Sequence, residues 1–189
     1  MPVSIERIAL DQKKVSFRPG DSYLVSYREF VHYFKNLDTI TTHNFVVGAY
    51  FTYGWMPRIL ELHNAQENFP LVVDILNEVK SGRIIGSTEL LTLRDTINNS
   101  LVGASKLLSF TNPNNYAIWD RRVYTYINGH APHDYQIRAP ASYLAYLSNC
   151  EELTKDEMFK PVHTSMNEKI GYEVTPYRAV ELVMFMNGG

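Results

Sequence analysis

Residues 102–126, VGASKLLSFTNPNNYAIWDRRVYTY, carry two short helix signals with a loop between them. Lys106 has Val102 and Phe110 four residues to either side, so on a helix its amine sits in an apolar row. Pro113 interrupts that run. Asp120 stands immediately ahead of a second run, Val123, Tyr124, Tyr126 and Ile127, which stops at Gly129. A helix, a turn back and a second helix would bring an ammonium and a carboxylate to one cleft. Two helical turns from Lys106 rise about 11 Å, and the roughly seven residues through Pro113 can span that distance back.

Outward from this unit the apolar positions keep helical rather than alternating spacing, which points to an all-α, compact multi-helix domain. Residues 22–36 read as a helix after the breaker Pro19-Gly20, with Tyr23, Val25, Tyr27, Phe30, Val31 and Phe34 as its core face. Residues 42–53 and 57–64 read as a second helical stretch, kinked near Trp55 by Gly54 and Pro57. Leu71, Ile75, Leu76 and Val79 mark a third helix ending near Ser81-Gly82. Ser87 is placed to cap a fourth, without the acidic partner of a capping box. Downstream, a polar loop over 130–140 leads to a helix over 141–150, a segment over 155–170 with Pro161 inside it, and a last helix opened by Thr175-Pro176. Val174, Tyr177, Val180, Val183 and Met184 would dock that helix on the core. The expected organisation is a single all-helical domain over 1–189, open to a two-lobed arrangement with its cleft near 103–124.

The formal net charge is −2, so nothing draws the whole molecule to nucleic acid, and any phosphate contact must use a local basic patch. One cysteine, Cys150, excludes an intrachain disulfide, a four-cysteine zinc site and a four-cysteine iron–sulfur cluster, and suits a reducing compartment. The first residues, MPVSIERIALDQKK, carry charges where a signal peptide needs an apolar stretch. The longest apolar run, over 45–56, is short of the roughly 20 residues a membrane span takes. A cytoplasmic protein without a membrane partner is the expectation. Asn98-Asn99-Ser100 matches the glycosylation acceptor pattern, which is accidental in that setting.

Desolvation of Lys106 favours its neutral amine, and nearby cations, with Arg121 and Arg122 as candidates, push the same way; the result is a nucleophile at neutral pH. Asp120, ahead of a helix, would accept backbone N–H bonds that keep it ionised and fix its direction. The plainer reading of the same two residues is an ion pair and an ordinary helix cap, worth about 0–1 kcal/mol on a surface.

Gly103, Lys106 and Asp120, in that order within VGASKLLSFTNPNNYAIWDRRV, resemble the hairpin glycine, the helix-opening lysine and the helix-capping aspartate of the helix–hairpin–helix superfamily of DNA glycosylases, particularly its 8-oxoguanine glycosylase-like branch. Of the family's glycine-rich hairpin only Gly103 is present, and Lys106 and Asp120 stand closer together than is usual there. The resemblance implies that Lys106 attacks the deoxyribose C1′ as the base departs, forming a Schiff base, with strand-cleaving lyase activity as a companion expectation. It implies that Asp120 stabilises the positive charge developing on the sugar and assists proton movement. The SK-LL-F-NP-WD-RV pattern is also similar to segments of defence-associated bacterial proteins. Either an oxidised purine or a modified base in phage DNA is therefore an expected target.

An extruded base must be held between apolar or aromatic faces. Trp119, Tyr116, Phe110, Tyr124 and Trp55 are the candidates for that pocket, each set against a plain core role, and Trp119 is favoured by its place beside Asp120. Gly103, Ser105, Arg121, Arg122 and Arg138 are the candidates for contact with DNA. His130, His133 and Asp134 invite a metal reading, but Pro132 breaks their helical spacing and no second cluster accompanies them. Neither a metal nor an organic cofactor is expected. The rival expectation is a catalytically silent helical module that binds nucleic acid or a protein; the third is a structural or regulatory phage or plasmid protein.

Overall fold

The computed structural model describes residues 2–189, and among them the chain folds into eleven α-helices and one 3-10 turn with no sheet. The single extended pairing is an isolated antiparallel bridge between Leu62 and Ile97. None of these helices is long and apolar enough to cross a membrane.

The chain starts with α1 (Ile5–Asp11) and the 3-10 turn (Gln12–Lys14), ahead of the first helix read from the sequence. Ser4 caps α1 by accepting from the Arg7 N–H, and Ile5 and Ile8 are buried. Five helices then pack on one another: α2 (Ser22–Lys35), α3 (Thr42–Trp55), α4 (Ala65–Lys80), α5 (Ser87–Thr96) and α6 (Leu101–Thr111). α6 is surrounded by the other four, which is why all of its residues except Val102 are buried. Small residues make that enclosure feasible. A Cβ added to Gly103 would stand 2.5 Å from Tyr53 Oη, and one on Gly48 in α3 would stand 2.5 Å from Phe34 Cζ.

The remaining helices form a second set: α7 (Arg121–Asn128), the single turn α8 (Asp134–Ile137), α9 (Pro140–Lys155), α10 (Phe159–Ile170) and α11 (Pro176–Asn187). α11 is central here and lies against α1, α7, α9 and α10, while α5 and α9 join the two sets. One continuous hydrophobic core runs through both.

Several expected elements shift, each for a local reason. Residues 57–64 are not helical: Pro57 cannot donate, and the segment is held instead by Asn98, whose side chain accepts from Glu61 N–H at 2.7 Å and donates to Ile59 O at 3.1 Å. α4 begins at Ala65 and runs through Pro70. Ser87 is the first residue inside α5 rather than its cap; Gly86 is the cap, and Glu89 supplies the acidic partner by accepting the Gly86 N–H at 3.1 Å. Pro161 lies in the first turn of α10, where an N–H would have no intrahelical acceptor, so the helix is not broken. The polar loop over 130–140 contains α8.

Candidate active site

Along the seam between the two sets of helices lies a cleft of ≈ 950 Å³. The first set lines it with Tyr23, Tyr53, Trp55, Lys106 and residues 98–102; the second lines it with Asp120, Arg178 and Glu181, among others.

Lys106 reaches this cleft from the middle of α6 while only 8% of it is exposed. Its Nζ lies 5.8 Å from the centre of the Trp55 ring and forms no direct ion pair among the described residues. Burial pushes the ammonium pKa below its ordinary value; Asp120 and then Glu181 oppose that shift, while Arg178 and Arg58 reinforce it. The cations that help are therefore Arg178 and Arg58, not Arg121 and Arg122.

Asp120 caps α7, where its Oδ1 accepts from the N–H groups of Arg122 at 2.9 Å and Val123 at 3.0 Å. Ser105 holds the approach to it: Oγ of this buried residue accepts the Trp119 N–H at 3.0 Å and ties the segment before α7 to α6. Ser105 is thus a brace between the two halves of the site, and its hydroxyl is turned inward. The braced segment is not helical, Asp120 at its end is extended, and its side chains divide between two sides. Ile118 and Asp120 line the cleft, and Trp119 between them points into the core.

That division accounts for Trp119, which donates from Nε1 to Ile137 O at 3.1 Å and packs against Tyr146. Tyr116 is likewise internal, accepting from Ile85 N–H and donating to Arg83 O. Phe110 is enclosed by Tyr27, Phe30, Phe51 and Trp55, and Tyr124 packs against Trp119 and His130. Of the expected pocket aromatics, Trp55 lines the cleft and these four do not. Tyr23, read from the sequence as core, is 53% exposed and stands beside Trp55 with ring centres 5.4 Å apart.

Gly103 sits in the first turn of α6, where its N–H donates to the capping Ser100 Oγ at 3.1 Å, and it is packed under Tyr53. The hairpin between α5 and α6 is instead made by residues 97–100. Asn98 and Asn99 adopt left-handed backbone conformations, φ 53° and 48°, that asparagine tolerates better than most side chains. An Asn-Asn pair between two apolar helical runs is the signal that could have located this turn.

Arg121, Arg122 and Arg138 all line the cleft, joined there by Arg18 and Arg58. Arg121 is exposed and holds Asp134 at 3.3 Å and Pro132 O at 3.1 Å; the Arg122 guanidinium lies 4.9 Å from the centre of the Phe185 ring. His133 stacks on Tyr135, and among the described residues no group of three or more His, Cys, Asp or Glu side chains is placed to hold a metal ion.

Sequence reading missed Arg178 and Glu181. They are 4% and 2% exposed, lie three residues apart on α11, and form a buried ion pair that lines the cleft. Burial raises the Glu181 carboxyl to about 7; Arg178 opposes the shift and Asp120 adds to it. Their signal is a pair of charges inside the otherwise apolar run of residues 177–186, just where the helix docks.

No protein-family model, curated protein or solved structure matches the chain. What the cleft can do follows from its own residues: a desolvated amine, a fixed carboxylate and a second, enclosed carboxylate share a space lined by arginines and aromatic rings.

Proposed function

We propose that the protein is a lysine-dependent DNA glycosylase of the helix–hairpin–helix type, acting on cytoplasmic DNA. The observation that carries this reading is the convergence of Lys106 and Asp120 on one cleft, with Lys106 desolvated. As a free amine, Lys106 directs its lone pair at C1′ of a deoxyribose while the base leaves with the electrons of the glycosidic bond. Asp120, oriented by two backbone N–H groups, stabilises positive charge on the sugar.

The surroundings support a nucleic-acid substrate. Trp55 and Tyr23 offer aromatic surface to an extruded base. The cleft arginines provide local positive charge in a chain of net charge −2. The first-turn N–H groups of Leu101 and Val102 lie beyond the Asn98-Asn99 turn without intrahelical acceptors, as a phosphate-binding hairpin requires.

The test is base release and borohydride trapping across a panel of duplexes carrying oxidised, naturally modified or absent bases. Trapping is expected with at least one of them and is lost in Lys106→Gln; undiminished trapping by Lys106→Gln protein would sink the lysine assignment. Burial of Gly103 favours a second reading, a DNA-binding module without chemistry. Steeply salt-dependent binding with no base release across the panel would select it.

A further inference from the structure

We propose that Glu181, held by Arg178 on α11, is the proton partner of Lys106: a general acid–base residue that takes the ammonium proton before the amine attacks and returns it as the sugar opens. The inference rests on the reading of Lys106 as nucleophile.

Its starting point is the placement of the Arg178–Glu181 pair. Burying two charges is costly, and a well-packed apolar pair commonly stabilises a helix interface at least as well. This pair nevertheless lines the cleft that contains Lys106 and Asp120, so a second carboxylate and its guanidinium share the space of the proposed nucleophile. Asp120 is already engaged in capping α7. Glu181 is the enclosed carboxylate, and its nearest restraint is the guanidinium of Arg178, itself stacked on Tyr27 with Cζ 4.0 Å from the ring centre. The geometry keeps the carboxylate directed while leaving Lys106 without a direct ion pair. The two groups line one cleft and each feels the other's charge, which makes them acid–base partners across that space.

The other groups around Glu181 are consistent with that role. α6 presents Lys106, the start of α7 presents Asp120, and α2 presents Tyr27; from α9 come Tyr146 and Cys150, both neutral because burial raises their pKa values. α1 and α10 meet α11 near its ends, with Asp11 at Asn187 and His163 at Val174. With burial outweighing the pull of Arg178, the Glu181 carboxyl titrates at about 7, so it can both accept and give up a proton at neutral pH.

The proton and electron count closes. Glu181 carboxylate takes one proton from the Lys106 ammonium, leaving a neutral amine and a carboxylic acid. The amine lone pair forms the N–C1′ bond, and the electron pair of the glycosidic bond leaves with the base, which takes a second proton from the new secondary ammonium. The nitrogen lone pair then forms C1′=N as the C1′–O4′ bond breaks, and O4′ takes the proton held by Glu181. The carboxylate is restored, and one proton remains on the iminium nitrogen.

Simple electrostatics and proton transfer make opposite demands on Glu181→Gln. Removing the negative charge makes the Lys106 amine easier to deprotonate, so reductive labelling of Lys106 by formaldehyde, followed by mass spectrometry, should shift its pH midpoint down by about one unit. Borohydride trapping on an abasic duplex in single turnover should instead fall about 100-fold at pH 7, with its pH profile altered and Glu181→Asp restoring most of the rate. The double replacement Arg178→Met/Glu181→Leu leaves no unpaired buried charge and carries the trapping half of the test should Glu181→Gln fail to fold; its labelling midpoint should stay in place, because Arg178 and Glu181 act on Lys106 in opposite senses. An unshifted labelling midpoint in Glu181→Gln, or trapping by either variant at the unaltered protein's rate, overturns the proposal and leaves the lysine nucleophile standing. Failure of the unaltered protein to trap any substrate in the panel overturns the glycosylase reading and this inference with it.

Discussion

Arg178 stacks its guanidinium on Tyr27, with Cζ 4.0 Å from the ring centre, and the Tyr27 hydroxyl lies 3.1 Å from Ser109 Oγ. A charge on α11 is thereby fastened to α2 and α6 across the seam that holds the cleft. Burial raises the Tyr27 phenol to about 12, so it remains a neutral hydrogen-bonding group throughout the physiological range. Tyr27→Phe keeps the stacked ring and loses the hydroxyl contact, an expected cost of about 1 kcal/mol in unfolding free energy. Tyr27→Leu also loses the aromatic face beneath a buried cation and should cost about 2–4 kcal/mol. Urea unfolding of both variants measures the difference; equal losses would show that the stacking contributes nothing.

Asp120 combines a cap with a charge, and two substitutions separate them. Asp120→Asn retains an oxygen that can accept the Arg122 and Val123 N–H groups, so stability should stay within about 0.5 kcal/mol. Asp120→Ala removes the acceptor and should cost about 1 kcal/mol. Both remove the charge that the proposed function sets against the sugar and should slow base release about 100-fold or more. Thermal unfolding alongside single-turnover release tests the separation. Full activity in Asp120→Asn would show that only the cap matters.

Helical periodicity made the architecture legible in the sequence because nearly every helix buries one face, and Lys106 and Asp120 stood out because each sits at a recognisable helical position. The cleft itself was harder to read. Trp119 adjoins Asp120 in sequence, yet Trp119 is buried in the core while Asp120 lines the cleft, so adjacency misled. Arg178 and Glu181 lie far along the chain from Lys106, and only the docking of α11 on α7 brings them to the same seam. The hairpin turn was obscured for a different reason: asparagine supplies the left-handed backbone for which glycine is the expected sign.

Gly103 now has a packing role that can be measured. An added methyl group would begin 2.5 Å from Tyr53 Oη and 3.0 Å from the ring, and Tyr53 lines the cleft beside the hairpin. Gly103→Ala should therefore displace Tyr53 and destabilise the fold by about 1–3 kcal/mol, despite the better helix propensity of alanine. Tyr53→Phe in the same background removes the closest atom and should recover part of the loss. A stabilised Gly103→Ala protein would contradict the tight packing between α3 and α6.

The buried charges also fix how stability should vary with pH. Glu181 has an ordinary value of 4.5 and titrates in the folded protein at about 7, so between these values the folded chain holds a proton that the unfolded chain has released. Stability from this group is fully present below 4.5 and is lost as pH rises through 7, by about 3 kcal/mol in total. Lys106 acts in the opposite sense: its folded-state pKa is lowered, so stability increases with pH from that value towards 10.5, where the unfolded chain also deprotonates. Above pH 10 the Tyr27 phenol, still protonated in the folded state, reverses the trend again. Urea unfolding at pH 5 and pH 8 should therefore show a fall in the unaltered protein that shrinks by up to about 3 kcal/mol in Glu181→Gln. The same fall in both proteins would mean that Glu181 keeps an ordinary carboxylate pKa despite its burial.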